Sequence, residues 1–377
     1  MLSNVRVWFT AIAFTLAGCA GDPNNIIGID SLKTPAASVA GTTRHTIFVA
    51  TTRALADDPA ILFSGERLPE SVNLARVEVS VPPSHKTGAV ERPSRVPPDP
   101  KKDFVVLNPS TFDSQSAFKQ AVDRELASRP RGQRDILLFV HGYNTDLAGA
   151  VLRMGQFVHD SGFSGVPVLF SWASRGKTLD YVYDLNSALH ARDELLETAL
   201  SLATTRTEGV NIVAHSMGNF LTVEAMRQAQ LTGKFNKHGK LRTVILASPD
   251  IDADVFAKQL APFPKSERRF YVLVSQDDKA LAVSRRLAGG VDRVGDEDSD
   301  RLAKLGVRVI DLSEVDDTSS LNHTKFADSP GIVKLIGKRM NEGDSFRTHA
   351  GPTVFGGVAS AAQVLASGGR SVLVVGN

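Results

Sequence analysis

Apolar residues follow two rhythms along this chain. From residue 136 onward, short unbroken apolar runs recur: Ile136-Leu-Leu-Phe-Val140, Pro167-Val-Leu-Phe-Ser171, Ile212-Val213, Thr243-Val-Ile-Leu-Ala247, Tyr271-Val-Leu-Val274 and Val307-Arg-Val-Ile310. Helical spacing fills about 146–160 and 186–204, and a closing helix is predicted from Ile332 to Met340. Continuous apolar strands alternating with helices predict a parallel sheet buried on both faces. The first part of the chain reads differently. Ala75-Arg-Val-Glu-Val-Ser-Val81 alternates apolar with polar residues, as a half-buried strand does. Thr46-Ile-Phe-Val-Ala50 and Phe104-Val-Val-Leu107 predict two more strands, residues 82–101 a long Pro-, Lys- and Arg-rich loop, and Phe112 to Leu126 a helix. The pattern as a whole predicts an α/β fold with a mostly parallel central sheet and helices on both faces.

The two ends fall outside this pattern. Arg6, the short apolar stretch Val7 to Leu16 and the small residues before Cys19 have the layout of a signal peptide. About ten apolar residues are too few to span a bilayer, which takes about 20. Leu16-Ala17-Gly18-Cys19 resembles the bacterial lipobox, whose Cys becomes the lipidated first residue of the mature chain. Cys19 is the only cysteine, so no intrachain disulfide is possible. Residues 20–42 are expected to be a flexible tether, 43–340 a single domain, and 341–377, rich in Gly, Ala, Ser and Val, a loose tail. The formal charge of +2 from 43 basic and 41 acidic residues, with no basic run, gives no grip on nucleic acid. The expected location is the bacterial cell envelope, by a lipid anchor. Ala20 after the Cys favours the outer membrane, facing the periplasm.

Chemistry enters with Asn211-Ile-Val-Ala-His-Ser-Met-Gly-Asn-Phe220. An apolar strand runs into a sharp turn at Ser216, and an amphipathic helix follows. This is the form of a nucleophile elbow, which needs small residues two before and two after the serine. Ala214 and Gly218 meet that need. Serine is also a common helix cap, so a base and an acid must be found elsewhere. In open α/β sheets such groups gather beyond the carboxyl ends of the strands. After Tyr271-Val-Leu-Val274 come Asp277 and Asp278, and after Val307-Arg-Val-Ile310 comes His323. Serine, acid, then histidine is the chain order of α/β-hydrolases. Successive residues leaving a strand point to opposite sides, so one of the two aspartates faces the histidine. Asp278 stands immediately before the helical segment Lys279 to Arg285 and is favoured. Met217, after the serine, and Tyr143, in the loop His141-Gly-Tyr-Asn144, are the expected backbone donors of an oxyanion hole. His141 is thereby read as part of that loop rather than as the base, and His215 as packing below the serine. His45, His85, His159, His190, His238 and His349 are expected on the surface or in the tail.

These motifs, with Phe170-Ser-Trp-Ala-Ser-Arg-Gly176, Tyr181, Asp184 and Ser275-Gln-Asp-Asp-Lys-Ala-Leu281, resemble bacterial α/β-hydrolases of the DUF900 type, esterase/lipase-like and without an assigned substrate. Phe48-Val-Ala-Thr-Thr-Arg53 and Val79-Ser-Val-Pro-Pro-Ser-His85 are similar to the family's N-terminal portion, so the likeness spans about residues 45–340. Relatives usually have Trp-Pro-Ser where this chain has Trp172-Ala173-Ser174. The resemblance points to Asp278 as the acid and implies hydrolase chemistry. The expectation is therefore a serine hydrolase acting on a carboxylic ester or thioester of a small-molecule or lipid-like acyl substrate. Trp172 is expected to touch substrate, and no metal or cofactor is expected. Amidase or peptidase activity uses the same groups, and a binding or scaffold protein of the envelope would keep the fold without them being active.

Overall fold

A computed structural model describes residues 22–268, 270–315, 321–342 and 373–375. The signal segment with Cys19, His349 and nearly all of the expected tail lie outside the described residues. In chain order the elements are β1 Thr43–Thr51, β2 Arg53–Leu55, β3 Phe63–Arg67, β4 Asn73–Val81, β5 Val105–Thr111, α1 Gln115–Ala127, β6 Asp135–Val140, α2 Leu147–Ser161 and β7 Val166–Ser171. Then follow α3 Tyr181–His190, α4 Arg192–Ala203, β8 Gly209–His215, α5 Met217–Leu231, β9 Leu241–Ala247, α6 Ala253–Leu260, β10 Phe270–Val274 and α7 Lys279–Leu287. The chain closes with α8 Ser299–Lys304, β11 Arg308–Asp311, α9 Lys325–Asp328, α10 Pro330–Asn341 and β12 Leu373–Val375.

Among the described residues ten strands form one sheet in the order β12-β11-β10-β9-β8-β6-β7-β1-β4-β5. From β11 to β1 neighbouring strands run parallel; β4, β5 and β12 are the antiparallel margins. The unbroken apolar runs are explained by burial on two faces. Ile136, Leu138 and Val140 face Phe118 of α1, Leu195 of α4 and Leu221 of α5. Leu137 and Phe139 face Met154 of α2 and Ile332 of α10. Period-two alternation within β6 thus feeds two separate cores, one on each side of the sheet.

Four expectations are corrected. The stretch 22–42 is packed rather than a free tether: Ile26 and Ile27 are buried, and Ile27 bridges Val106 of β5. Two apolar residues here cover the outer edge of the sheet, an edge that would otherwise expose unpaired backbone groups. The single helix expected over 186–204 is two, α3 and α4, broken at Ala191. That break lets α3 begin at Tyr181 and carry Asp184 against the loops above the sheet. The expected loose tail contains one strand, β12, paired antiparallel with β11. Finally, His45, His85 and His159 are not surface residues but a half-buried cluster with Asp160. His190 and His238 are exposed as expected.

Candidate active site

The turn between β8 and α5 carries Ser216 at φ 53° and ψ −126°. For a residue with a Cβ this left-handed region costs about 1–3 kcal/mol and persists only where the surroundings enforce it. The surroundings are visible. Ser216 N–H donates to Ala247 O at 3.0 Å, and Ser216 O accepts from Asn219 N at 3.0 Å and Asp250 N at 3.2 Å. The buried Asn219 amide adds bonds to Ser216 O at 3.0 Å and Ala247 O at 2.8 Å. Gly218 is required by close approach, since a Cβ there would meet His141 O at 2.3 Å and Val140 O at 2.8 Å. Ala214, the other small residue of the motif, is fully buried.

Asp278 leaves the end of β10 and caps α7, accepting from Leu281 N at 3.0 Å with one oxygen. Its other oxygen stands 2.7 Å from His323 Nδ1, and its side chain is wholly buried. Asp277 points away. It pairs with Lys325 Nζ at 2.6 Å, accepts from Asn322 Nδ2 at 2.8 Å, and is 43% exposed. His323 is brought beside the serine through His215, whose Nε2 lies 3.1 Å from His323 O, with the two rings 4.7 Å apart. Among the described residues no hydrogen bond joins Ser216 Oγ to His323. Such bonds often tighten only when substrate is present. Burial, and then the neighbouring His323, hold His215 well below its ordinary range, so it is a neutral packing residue.

The loop after β6 lies directly on the serine, since a Cβ at Gly142 would come within 2.8 Å of Ser216 Cβ. Among the described residues the N–H groups of Tyr143 and Met217 have no backbone partner. Met217 opens α5, where the helix dipole adds partial positive charge. A cleft of about 590 Å³ runs along this loop, lined by Asp22, His141, Gly142, Asn144, His215 and Thr324 among others; it borders the residues next to Ser216 and His323 without being lined by either. A smaller apolar cavity of about 90 Å³ between α4 and α5 contains none of the candidate residues.

Trp172 is a correction. It is completely buried, donates from Nε1 to His141 O at 2.8 Å, and stacks on the His141 ring at 5.1 Å. It supports the loop from beneath instead of meeting substrate. The sequence reading also passed over Arg53 and Asp184. Arg53 is buried and reaches Ser171 Oγ at 2.8 Å, Ser174 O at 2.6 Å and Thr145 O at 2.7 Å. Burial lowers its guanidinium to about 10. Asp184 accepts from Ser174 Oγ at 2.6 Å, Arg175 N at 3.0 Å and Asn144 N at 3.1 Å; burial nonetheless raises its pKa above the ordinary value. The only advance signal was their place inside the quoted motifs.

A second serine–histidine contact exists, His141 Nε2 to Ser171 Oγ at 3.1 Å. It has no acid behind it, because His141 Nδ1 faces Gly142 O at 2.9 Å. Both side chains are buried, Arg53 occupies the serine oxygen, and burial followed by the Arg53 charge lowers His141 to about 3. A base held that low accepts no proton near neutrality. The pair is structural.

A parallel sheet whose strand ends meet a strained serine turn, a buried acid and a histidine defines the α/β-hydrolase fold. The chain belongs to the DUF900 family, described as an alpha/beta hydrolase of unknown function, whose model matches residues 114–339. Among solved structures it is similar to an esterase of Pyrobaculum calidifontis, at 13% identity and TM-score 0.34, covering 60% of this chain and 93% of that one. It is also similar to a fungal esterase of Rhizomucor miehei, at 11% identity and TM-score 0.35, covering 84% of this chain and 86% of that one. No curated protein matches the chain.

Proposed function

We propose that the protein is a serine hydrolase cleaving ester-type acyl bonds, with Ser216 as nucleophile, His323 as base and Asp278 as the acid that orients it. The observation that carries this is the 2.7 Å contact of His323 Nδ1 with the buried Asp278 carboxylate, next to a serine held at positive φ. Ser216 Oγ attacks the acyl carbon while His323 Nε2 takes its proton, and the carbonyl electron pair moves onto oxygen. The N–H groups of Met217 and Tyr143 bind that oxyanion. Collapse expels the alcohol or thiol, protonated by His323. Water then attacks the acyl-enzyme, giving its proton to His323, and the carboxylic acid leaves with Ser216 restored.

A lipid-like substrate is favoured by the rim. Leu179 and Val182 are 98% and 68% exposed beside Thr178 and Tyr181, both of which contact Tyr143. The same edge receives the first of the described residues: Arg92 links Asp22, Pro23 O and Asp146, the cap of α2. Cys19 is three residues before Asp22, about 10 Å of extended chain. Acylation of Cys19 would therefore hold the cleft close to a bilayer in the cell envelope. No helix among the described residues is long and apolar enough to cross a membrane. Intact-mass measurement of the membrane fraction tests the anchor; a mature chain without acyl mass rules it out.

A fluorophosphonate probe and a series of p-nitrophenyl esters of graded acyl length test the chemistry. Ser216→Ala should abolish labelling and lower turnover by about three or more orders of magnitude in a folded protein. Near-wild-type turnover by that variant would remove the enzymatic assignment.

A further inference from the structure

The second concentration of reactive side chains lies at the far end of the sheet. His45 sits near the start of β1, whereas Thr51 at its other end contacts Ser171 below the candidate site. His159 and Asp160 come from the last turns of α2, and His85 and Glu91 from the loop after β4. One ring nitrogen of His85, one of His159 and one Asp160 oxygen all lie within 4.8 Å of one another. His85 and Asp160 side chains are only 6% and 1% exposed.

The wiring around these three groups is that of a metal centre. A ligating histidine nearly always gives its other ring N–H to a carboxylate, which fixes the ring and its tautomer. His85 does so: Nδ1 stands 2.7 Å from Glu91 Oε2 while Nε2 faces Asp160 Oδ1 at 2.8 Å. Asp160 is oriented in the same manner, its Oδ2 accepting from Gly88 N and Gln156 Nε2, each at 2.7 Å. The edge of Phe104 packs on His85, and His45 Nε2 stands 3.2 Å from His159 Nδ1. Two imidazoles with one carboxylate suit a borderline divalent ion such as Zn²⁺. Ca²⁺ and Mg²⁺ call for oxygen donors throughout. Zn–N and Zn–O bonds of about 2.0–2.2 Å put tetrahedral donors about 3.3–3.5 Å apart, so His85 Nε2 and Asp160 Oδ1 must open from 2.8 Å, all three donors already lying within 4.8 Å of one another.

We propose that His85, His159 and Asp160 bind a divalent first-row transition ion of the zinc class, with Glu91 orienting His85 and His45 beside His159. On binding, the proton on His85 Nε2 is released to solvent, and that nitrogen and Asp160 Oδ1 turn from each other to the ion. The site is remote from Ser216. Its effect is to fasten the 82–104 loop to α2 and β1, and so to raise stability by linkage.

The test uses the full chain, free of any affinity tag and stripped with chelator, titrated with Zn²⁺ by calorimetry and melted with and without it. One equivalent should bind, and the melting temperature should rise with Zn²⁺ but not with Mg²⁺. Co²⁺ in place of Zn²⁺ should give the visible bands of a low-coordinate nitrogen–oxygen site. His159→Ala, which gives up one hydrogen bond to His45 and an edge contact with the His85 ring, should remove binding with the fold intact, and Glu91→Gln should weaken it about 10–100-fold. His190→Ala, on the exposed end of α3, is the control. No binding at about 100-fold excess of Zn²⁺, or binding unchanged in His159→Ala, would overturn the proposal and leave a plain hydrogen-bonded cluster.

Discussion

Gly142→Ala isolates the oxyanion loop from the rest of the machinery. The added methyl would lie 2.8 Å from Ser216 Cβ, 3.0 Å from His215 Nδ1 and 3.2 Å from His215 O. Carbon atoms rest about 3.5–4.0 Å apart, so the first contact is about 0.7–1.2 Å too short. Neither neighbour can yield. Ser216 is pinned by Ala247, Asn219 and Asp250, and the His215 ring lies between His323 at 4.7 Å and Phe326 at 5.0 Å. The loop must retreat instead, taking the Tyr143 N–H with it. An oxyanion donor works at about 2.7–3.1 Å, and losing one costs about 10²–10³ in kcat, or ~2.7–4 kcal/mol. Met217 N–H remains, so activity is reduced but not abolished. KM should change little, because the lost bond belongs to the transition state. Gly142 does not have a positive φ, so the cost to the fold comes from the clash alone, about 1–3 kcal/mol, and the melting temperature should fall by several degrees with the fold retained. Steady-state kinetics on a p-nitrophenyl ester, with melting and circular dichroism alongside, give the answer. A kcat within about threefold of the parent would show that this loop donates nothing to the reaction.

Asp278→Asn keeps the shape of the acid but not its charge, and should lower kcat by about 10⁴ through the wrong histidine tautomer. Asp277→Asn, whose partners are Lys325, Asn322 and Ser275, should leave kcat nearly unchanged; the opposite ranking in a kinetic comparison would reverse the assignment. Acid should weaken the fold in a predictable direction. His141 is lowered from 6.5 to about 3, first by burial and then by Arg53, so the unfolded chain binds more protons between those values. Its contribution to stability is complete above pH about 6.5 and is lost progressively as pH falls toward 3. Urea midpoints should therefore drop more steeply on acidification in the parent than in His141→Asn, and equal slopes would refute this.

What could be read from the sequence was local. The elbow is legible because its steric demands fall within five residues, from Ala214 to Gly218. Asp278 could be separated from Asp277 because strand alternation and the start of α7 act over two or three residues. Parallel strands were legible from their two-sided burial. What escaped depends on distant pairing. Arg53 looks like an ordinary surface arginine until β1 is set beside β7, when Ser171 and Ser174, more than a hundred residues away, become its acceptors. Trp172 was misjudged for the same reason, since its indole N–H is used by His141 O. Polarity misled at the N-terminal end of the domain: Ile26 and Ile27 sit in a Gly-, Pro- and Asn-rich stretch that nonetheless finds the β5 edge. His45, His85 and His159 are scattered in sequence and meet only through the fold.

The oxyanion loop and the loop after β7 contain many backbone groups and no ladder to satisfy them. Two buried charges divide that task. Arg53 takes carbonyls, Thr145 O and Ser174 O, while Asp184 takes N–H groups, Asn144 and Arg175, and the Ser174 hydroxyl. Neither is in direct ion-pair contact with the other, but each lies within the other's field and favours its charged form. Removing one alone would leave the other buried charge less compensated, with Asp146 the remaining opposite charge near Arg53, a penalty added to the lost bonds themselves. Between their contacts the Tyr143 N–H is left unused, so a catalytic donor is held in place by groups that do not spend it. Arg53 belongs to β2, ahead of the residues 114–339 matched by the family model. The N-terminal strands are thus not an appendage to the hydrolase unit. They close one margin of the sheet and supply the cation that organises the loop over the serine, so a chain beginning at residue 114 would keep Ser216, Asp278 and His323 and lose the means of holding the loop above them.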